Sequence, residues 1–138
     1  MSLKKIVLQT IDSPRRDLEW RVFMALKFSK EGISSIIGHA NQIKVIHEKS
    51  ENCLFFGRLA GNTGRTNFDL NTLETCKKNN TSLFFLHDEG GFYNAGAYPD
   101  VVKSIYPENH FSLPVFKRVY FWGKEQMDVF KNHPEQNK

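Results

Sequence analysis

The sequence contains only two cysteines, too few for a disulfide framework. Cys53 lies in an apolar run, Cys76 lies in a helical pattern, and no C-x-x-C spacing suggests a metal clip. Small secreted domains that depend on disulfides are much richer in cysteine. We therefore expect a reducing, cytoplasmic setting and no metal site built on thiolates.

Long apolar runs and charge of one dominant sign are also absent. No stretch approaches the roughly 20 apolar residues of a membrane span, so we predict no transmembrane segment and leave peripheral membrane association open. The first apolar run, Ile6–Leu8, is too short for a signal peptide. The net charge is only +4 and the basic pairs are scattered, which argues against binding to nucleic acid.

Apolar and aromatic residues, by contrast, are plentiful. They make up 40% and 13% of the chain, and 12 of the residues are phenylalanine. This is enough material for one hydrophobic core in a chain of 138 residues. We predict a single domain over residues 1–134, followed by a polar tail at residues 135–138.

Strand and helix patterns alternate along the chain. Strands are predicted for residues 5–10, 33–38, 53–57, 81–86 and 116–122, and helices for residues 14–30, 39–48, 68–78 and 123–132. Each connection is long enough for a crossover between parallel strands. The pattern predicts a three-layer α/β/α, Rossmann-like domain with a mainly parallel five-stranded sheet.

The first helix has clear boundaries in the sequence. Ser13 is expected to be its N-cap, Pro14 its first helical residue, and Gly32 its stop. Helical spacing also predicts an inward face. That face consists of Leu18, Val22, Ala25, Leu26 and Ser29, with Trp20, Phe23 and Phe28 adding to it.

Polar residues follow the predicted strands where the carboxyl ends of a parallel sheet meet. In open α/β sheets this edge is where ligands bind, so it is the predicted binding site. The candidate residues are Ser13, Arg15 and Arg16 after the first strand, His39 after the second, His87, Asp88, Glu89 and Gly90 after the fourth, and Trp122 after the fifth.

Two arginines at the start of the first helix suggest an anion site. A helix N-terminus carries partial positive charge and free N–H groups, so Arg15 and Arg16 are unfavourable there unless a carboxylate or phosphate binds. The alternative is that both arginines are solvated, or that they form salt bridges with Asp12 and Glu19. The motif alone does not decide between these two hypotheses.

The carboxylates of Asp88 and Glu89 are the candidate catalytic groups. Either can act as general base for a hydroxyl nucleophile, with His39 or His87 as alternatives. The competing interpretation is that they cap N–H groups in a turn that Gly90 permits. No spacing of the H-x-x-x-H kind supports a metal.

The loop at residues 57–67 is rich in glycine but lacks the Gly-Lys-[Ser/Thr] of a phosphate loop. It is interpreted as a surface loop, with a lid as the second choice. No cofactor is predicted for the chain.

Five short segments occur in an informative order: Ser13–Glu19, Ile36–His39, Leu86–Gly90, Phe121–Gln126 and His133–Glu135. In this order and spacing they resemble the N-terminal part of the bacterial surface carbohydrate biosynthesis proteins. That family is itself similar to two-domain, GT-B-like glycosyltransferases. The first segment reads Ser-Pro-Arg-Arg-Asp where the family tends to have Ser-Arg-Glu-[Leu/Phe]-Asp, so no specific role is transferred to its arginines.

The resemblance implies the acceptor-side half of a glycosyltransferase of surface polysaccharide biosynthesis. Its partner is then a sugar or glycan acceptor, and a nucleotide-sugar is held by a C-terminal domain that these residues do not include. The turns at Ser13–Arg16 and Asp88–Gly90 are expected to face the cleft between the two domains. The 138 residues alone are expected to be inactive. The alternative hypothesis is a non-catalytic, flavodoxin-like module that binds a small anion or a protein partner.

Overall fold

The computed structural model describes residues 5–57, 74–86, 116–120 and 123–132, which contain five strands and four helical segments. The strands are β1 (Ile6–Ile11), β2 (Ser34–His39), β3 (Leu54–Gly57), β4 (Ser82–Leu86) and β5 (Phe116–Tyr120). The helices are α1 (Pro14–Lys30), α2 (Ala40–Glu48), α3 (residues 74–78) and α4 (Lys124–Lys131). Within these residues, no helix has the length and apolar character needed to cross a membrane.

The five strands form one parallel sheet in the order β2-β1-β3-β4-β5. The pairing of β1 with β2 is regular, from Ile6 opposite Ser34 to Ile11 opposite His39. The pairing of β4 with β5 contains one register shift. The sheet confirms the predicted Rossmann-like α/β fold, and its strand order is the one found in flavodoxin-like sheets.

Strand β1 lies inside the sheet, paired on one side with β2 and on the other with β3. Its side chains from Val7 to Thr10 are all buried. A nearly continuous buried run is typical of a parallel strand that is covered on both faces. Burying Val7 and Leu8 completely contributes roughly 1.5–3 kcal/mol each to folding.

Two consecutive phenylalanines of β3 show that helices cover both faces of the sheet. Successive side chains of a strand point to opposite faces. Phe55 meets the ring of His47 in α2 edge-on, with 5.8 Å between the ring centroids. Phe56 meets the rings of Trp20 and Phe28 in α1, at 6.2 and 5.8 Å. Helices α1 and α2 therefore lie on opposite faces.

The orientation of α1 about its axis differs from the prediction. The buried side chains of α1 are Asp17 and Arg21, whereas much of the predicted inward face is exposed. The residues wrongly predicted to face inward are Leu18, Val22, Phe23, Leu26 and Ser29. Apolar residues occur on every side of this helix, so their spacing does not define one face. The contacts of Trp20 and Phe28 with Phe56 decide which side packs on the sheet.

Candidate functional site

The carboxyl ends of β1 and β2 lie side by side, because Ile11 is opposite His39. On the other side of β1, Gln9 is opposite Phe56, so β3 ends at Gly57 close to the end of β1. The chain leaves β1 toward β2 through α1, and it enters β3 on the opposite side of β1. In this strand order the crevice between β1 and β3 is the topological switch point, where open α/β sheets bind ligands.

A single buried carboxylate organises the turn that connects β1 to α1. Oδ2 of Asp17 accepts hydrogen bonds from the backbone N–H groups of Asp12, at 2.8 Å, and Ser13, at 3.0 Å. Nε of Arg16 donates to Oδ1 of Asp17 at 2.7 Å. A guanidinium nitrogen of Arg16 also lies 3.7 Å from a carboxylate oxygen of Asp12. The result is a compact charged network of Asp12, Arg16 and Asp17 at the switch point.

The first turn of α1 explains why Asp17 takes this role. Ser13 has the extended backbone of an N-cap, but its hydroxyl makes no capping hydrogen bond. The carboxylate of Asp17 reaches back from the first turn and accepts the N–H groups of Asp12 and Ser13, and its negative charge also complements the helix dipole. Burial disfavours the ionised form of Asp17, but the hydrogen bonds from Arg16, Ser13 and Asp12 outweigh burial and lower its pKa to about 2.

The network changes the interpretation of the predicted anion site. The N–H groups of Asp12 and Ser13 are engaged by Asp17, and the N–H groups of Arg16 and Asp17 bond to the carbonyl of Ser13. Arg16 pairs with Asp12, as the salt-bridge alternative predicted, and with Asp17, which that alternative did not include. Arg15 is exposed beside it and has no ion pair within the described part of the chain. The arginines therefore lie where they were predicted, but the negative charge beside Arg16 comes from the chain itself.

Arg21 is a buried cation near the same crevice that the sequence did not reveal. Only 1% of its surface is exposed. Its Nη1 donates to the carbonyl of Phe56 in β3 at 3.2 Å, and its guanidinium carbon lies 3.7 Å from the centroid of the Trp20 ring. A buried charge is costly unless it is paired and hydrogen-bonded. The available signal was its spacing of four residues from Asp17, which places both on one side of the helix.

Gln9 adds a second polar side chain beneath α1. It is fully buried in β1, beside Phe56, and neither polar atom of its amide has a hydrogen-bond partner among the residues that the structure describes. A buried amide without a partner costs roughly 1–3 kcal/mol. Local costs of this kind tend to occur at functional sites rather than in ordinary core positions.

His39 is exposed at the end of β2 and has the extended backbone of an N-cap residue for α2. Its side chain makes no capping hydrogen bond. It lies one strand away from the Ser13 turn, on the same edge of the sheet. The structure thus brings Ser13, Arg15, Arg16 and His39 to one edge, as the sequence predicted.

The remaining candidates, His87, Asp88, Glu89, Gly90 and Trp122, lie outside the described residues, as do residues 58–67 of the glycine-rich loop. Their neighbours in the chain are described. Leu86 ends β4 opposite Tyr120 of β5, at the carboxyl edge. The described parts of the chain contain no cluster of three or more metal-binding side chains.

A second polar cluster is buried at the amino edge of the sheet, away from the crevice. Nε2 of His47 lies 3.0 Å from the hydroxyl of Thr81, and the Asn79 amide donates to the His47 carbonyl at 2.8 Å. The Cys76 sulfur is 3.8 Å from the same ring nitrogen. Burial lowers the pKa of His47, which favours the neutral ring, and raises the pKa of Cys76 to about 12, so Cys76 is a neutral thiol and is not poised as a nucleophile.

Comparison with family models, with curated proteins and with solved structures finds no match to this chain. The site must therefore be interpreted from its own chemistry. It is a carboxyl-edge crevice between β1 and β3, with an internally neutralised helix N-terminus, exposed arginine donors and an exposed carboxylate.

Proposed function

We propose that this chain is the acceptor-side, glycosyltransferase-like domain of a protein in surface polysaccharide biosynthesis, and that a sugar acceptor binds in the crevice between β1 and β3. The observation that carries this proposal is the network of Asp12, Arg16 and Asp17 at the topological switch point.

The network favours a neutral, hydroxyl-rich ligand over a phosphate. A phosphate at the start of α1 needs free N–H groups, but those of Asp12 and Ser13 are bonded to Asp17 and that of Arg16 is bonded to the carbonyl of Ser13. An added anion would also meet the negative charges of Asp12 and Asp17. Sugar hydroxyls, in contrast, both donate and accept, so they suit a surface that presents carboxylate oxygens and guanidinium donors together.

Each described residue of the crevice has a role in this proposal. Arg15 and Asp12 are exposed and hydrogen-bond the acceptor hydroxyls, and Asp17 holds Arg16 in place. The acceptor hydroxyl is activated by Asp88 or Glu89, on the segment that follows β4. In this proposal a second domain supplies the nucleotide-sugar, so the 138 residues alone are expected to transfer no sugar.

A binding experiment tests the proposal directly. NMR spectra of the amide groups of the ¹⁵N-labelled chain are recorded during titration with glucose, galactose and N-acetylglucosamine, and separately with inorganic phosphate. We expect saturable shifts at Asp12–Asp17 with at least one sugar and none with phosphate. Arg15→Ala should weaken the sugar response, whereas Lys30→Ala, an exposed cation at the far end of α1, should leave it unchanged.

Two outcomes contradict the proposal. Saturable shifts with phosphate alone would support the alternative, a flavodoxin-like module for a small anion, which the strand order also allows. Turnover of a nucleotide-sugar by the isolated 138 residues would show that no second domain is needed.

A further inference from the structure

Strand β2 has an open groove on each of its two faces. On one face a groove of about 470 Å³ lies between β2 and α1, where Val22, Ala25 and Leu26 form its helical wall. On the other face a groove of about 490 Å³ lies between β2 and α2, where Val45 and Ile46 form the wall. Both grooves run along the strand at the end of the sheet.

The helices beside β2 expose apolar side chains toward this same end of the sheet. Val22 is 42% exposed and Leu26 is 61% exposed on α1, and Val45 is 51% exposed on α2. Single exposed apolar residues are common on protein surfaces, but here they flank one strand on both faces. The surface formed by β2, α1 and α2 at this end is called the β2 edge below.

The backbone of β2 is available for pairing at the β2 edge. Ser34 donates its N–H to the carbonyl of Lys5, toward β1. Because the direction alternates along a strand, the N–H and C=O groups of Ser35 and Ile37 point away from β1. Among the described residues, β1 is the only strand that pairs with β2.

Exposed edge strands usually carry a device that prevents further pairing, such as a lysine, a proline or a bulge. Residues Ser34–His39 contain no lysine, arginine, aspartate, glutamate or proline, and their register with β1 is regular throughout. Among the residues that the structure describes, the edge thus carries none of these devices, and an added strand would place alternate side chains in the two grooves.

We propose that the β2 edge is a dimer interface, in which β2 pairs antiparallel with β2 of a second copy of this chain. The two five-stranded sheets then form one continuous sheet, and the α1 helices of the two copies pack antiparallel across the two-fold axis.

Charge complementarity favours a second copy as the occupant. When Val22 of one α1 lies opposite Leu26 of the other, the exposed Glu19 comes next to Lys30 of the second copy, and the reverse contact forms by symmetry. Antiparallel α1 helices also place their dipoles in opposition. A two-fold interface needs one self-complementary surface, and the β2 edge has its acidic and basic residues at opposite ends of the same apolar stripe.

The test is sedimentation equilibrium of the chain and of three variants, from the low to the high micromolar range. We expect the wild type to approach twice the 16.0 kDa mass of one chain. Leu26→Glu on α1 and Val45→Glu on α2 should each raise the dissociation constant at least tenfold, because each places an unpaired carboxylate in a groove. Tyr120→Glu is the control and should stay dimeric, since Tyr120 is a 40% exposed apolar side chain on β5, at the opposite end of the sheet.

Circular dichroism verifies that each variant is folded. If Leu26→Glu does not fold, Leu26→Gln is used in its place. A wild type that remains a monomer at the highest concentration overturns the proposal. A dimer that persists in both groove variants, or one that Tyr120→Glu dissociates equally, also overturns it.

Discussion

Asp17 accepts hydrogen bonds from two backbone N–H groups and from Arg16, and its ionisation is directly linked to folding. Its pKa of about 2 in the folded chain lies below its ordinary value of 3.8. The folded state therefore binds fewer protons at acid pH than the unfolded state. The resulting stabilisation, on the order of 2 kcal/mol, is fully present above pH 4–5 and is lost as the pH falls through the folded pKa.

Asp17→Asn should remove this stabilisation. We expect the free energy of unfolding to fall by roughly 1–2 kcal/mol at neutral pH, since the amide keeps one acceptor but loses the charge that Arg16 pairs with. Urea unfolding between about pH 7 and pH 2 measures the effect, and the variant should show a flatter acid limb. Glu19→Gln, an exposed carboxylate on the same helix, is the control and should change stability by less than about 0.5 kcal/mol.

His47 should act in a different pH range. Burial lowers its pKa below the ordinary 6.5, so the neutral ring is favoured in the folded state. Its contribution to stability is present above pH 6.5 and is lost as the pH falls through the lowered pKa. We expect unfolding free energies measured between about pH 7.5 and 5.5 to decline in the wild type and to be flatter in His47→Gln. A slope in His47→Gln equal to that of the wild type would contradict the assignment. His39→Gln changes an exposed histidine and is the control, which should keep the slope of the wild type.

Cys76 and Cys53 should be inert in the folded chain. Both are buried, and burial raises the pKa of each thiol, to about 12 for Cys76. Iodoacetamide at mildly alkaline pH should label neither cysteine in the native chain and both in denaturant, as read by mass spectrometry. Lys78→Cys, at an exposed position of α3, is the positive control. Rapid native labelling of Cys76 would mean that the amino-edge cluster opens readily.

At the scale of elements, the strands were well predicted because each is a short apolar run between turn residues. Strand β2, predicted at residues 33–38, is observed at Ser34–His39, and strand β4, predicted at 81–86, is observed at Ser82–Leu86. The parallel arrangement followed from the length of the connections. The face of α1 could not be predicted in the same way, because charged residues form its buried side and apolar residues part of its exposed side.

The α1–sheet contact gives an element-scale prediction. Phe56→Ala removes the edge-on contacts with Trp20 and Phe28 and should cost roughly 2–4 kcal/mol of unfolding free energy. Phe23→Ala removes an equal side chain from the same layer but from an exposed position, so it should cost less than about 1 kcal/mol. Chemical unfolding of the two variants measures the difference. Equal costs would mean that α1 is rotated relative to the structure.

The sequence predicted the placement of part of the candidate site, but not the contacts within it. Strand ends and topology place Ser13, Arg16 and His39 at one edge, and both can be inferred from sequence. The capping role of Asp17 could not, because it lies one position beyond the usual capping-box residue. Arg21 was missed because a buried arginine is rare and is recognised only when its partners, here Phe56 and Trp20, are known in space.

At the scale of the whole molecule, the sheet predicts where hydrogen exchange is slowest. Strand β1 is paired on both sides and its central side chains are buried. Its amides, together with those of β3, should exchange only through extensive unfolding. The outward amides of Ser35 and Ile37 should exchange quickly in dilute solution and more slowly as concentration rises, because the β2 edge is then paired. Exchange at these two amides that does not depend on concentration would contradict the dimer.

Helix α1 also links two places that are far apart on the surface. Its first turn is held by Asp17 at the crevice, and its middle supplies Val22 and Leu26 to the groove beside β2. A helix of seventeen residues is stiff, so a movement of its first turn shifts the rest of α1 about the contact of Trp20 with Phe56. Protonation of the Asp17 carboxylate, or a ligand that competes for the N–H groups of Asp12 and Ser13, would break these hydrogen bonds and allow the first turn of α1 to move. Occupancy of the crevice and strength of the dimer would then be thermodynamically coupled, each altering the other by the same factor.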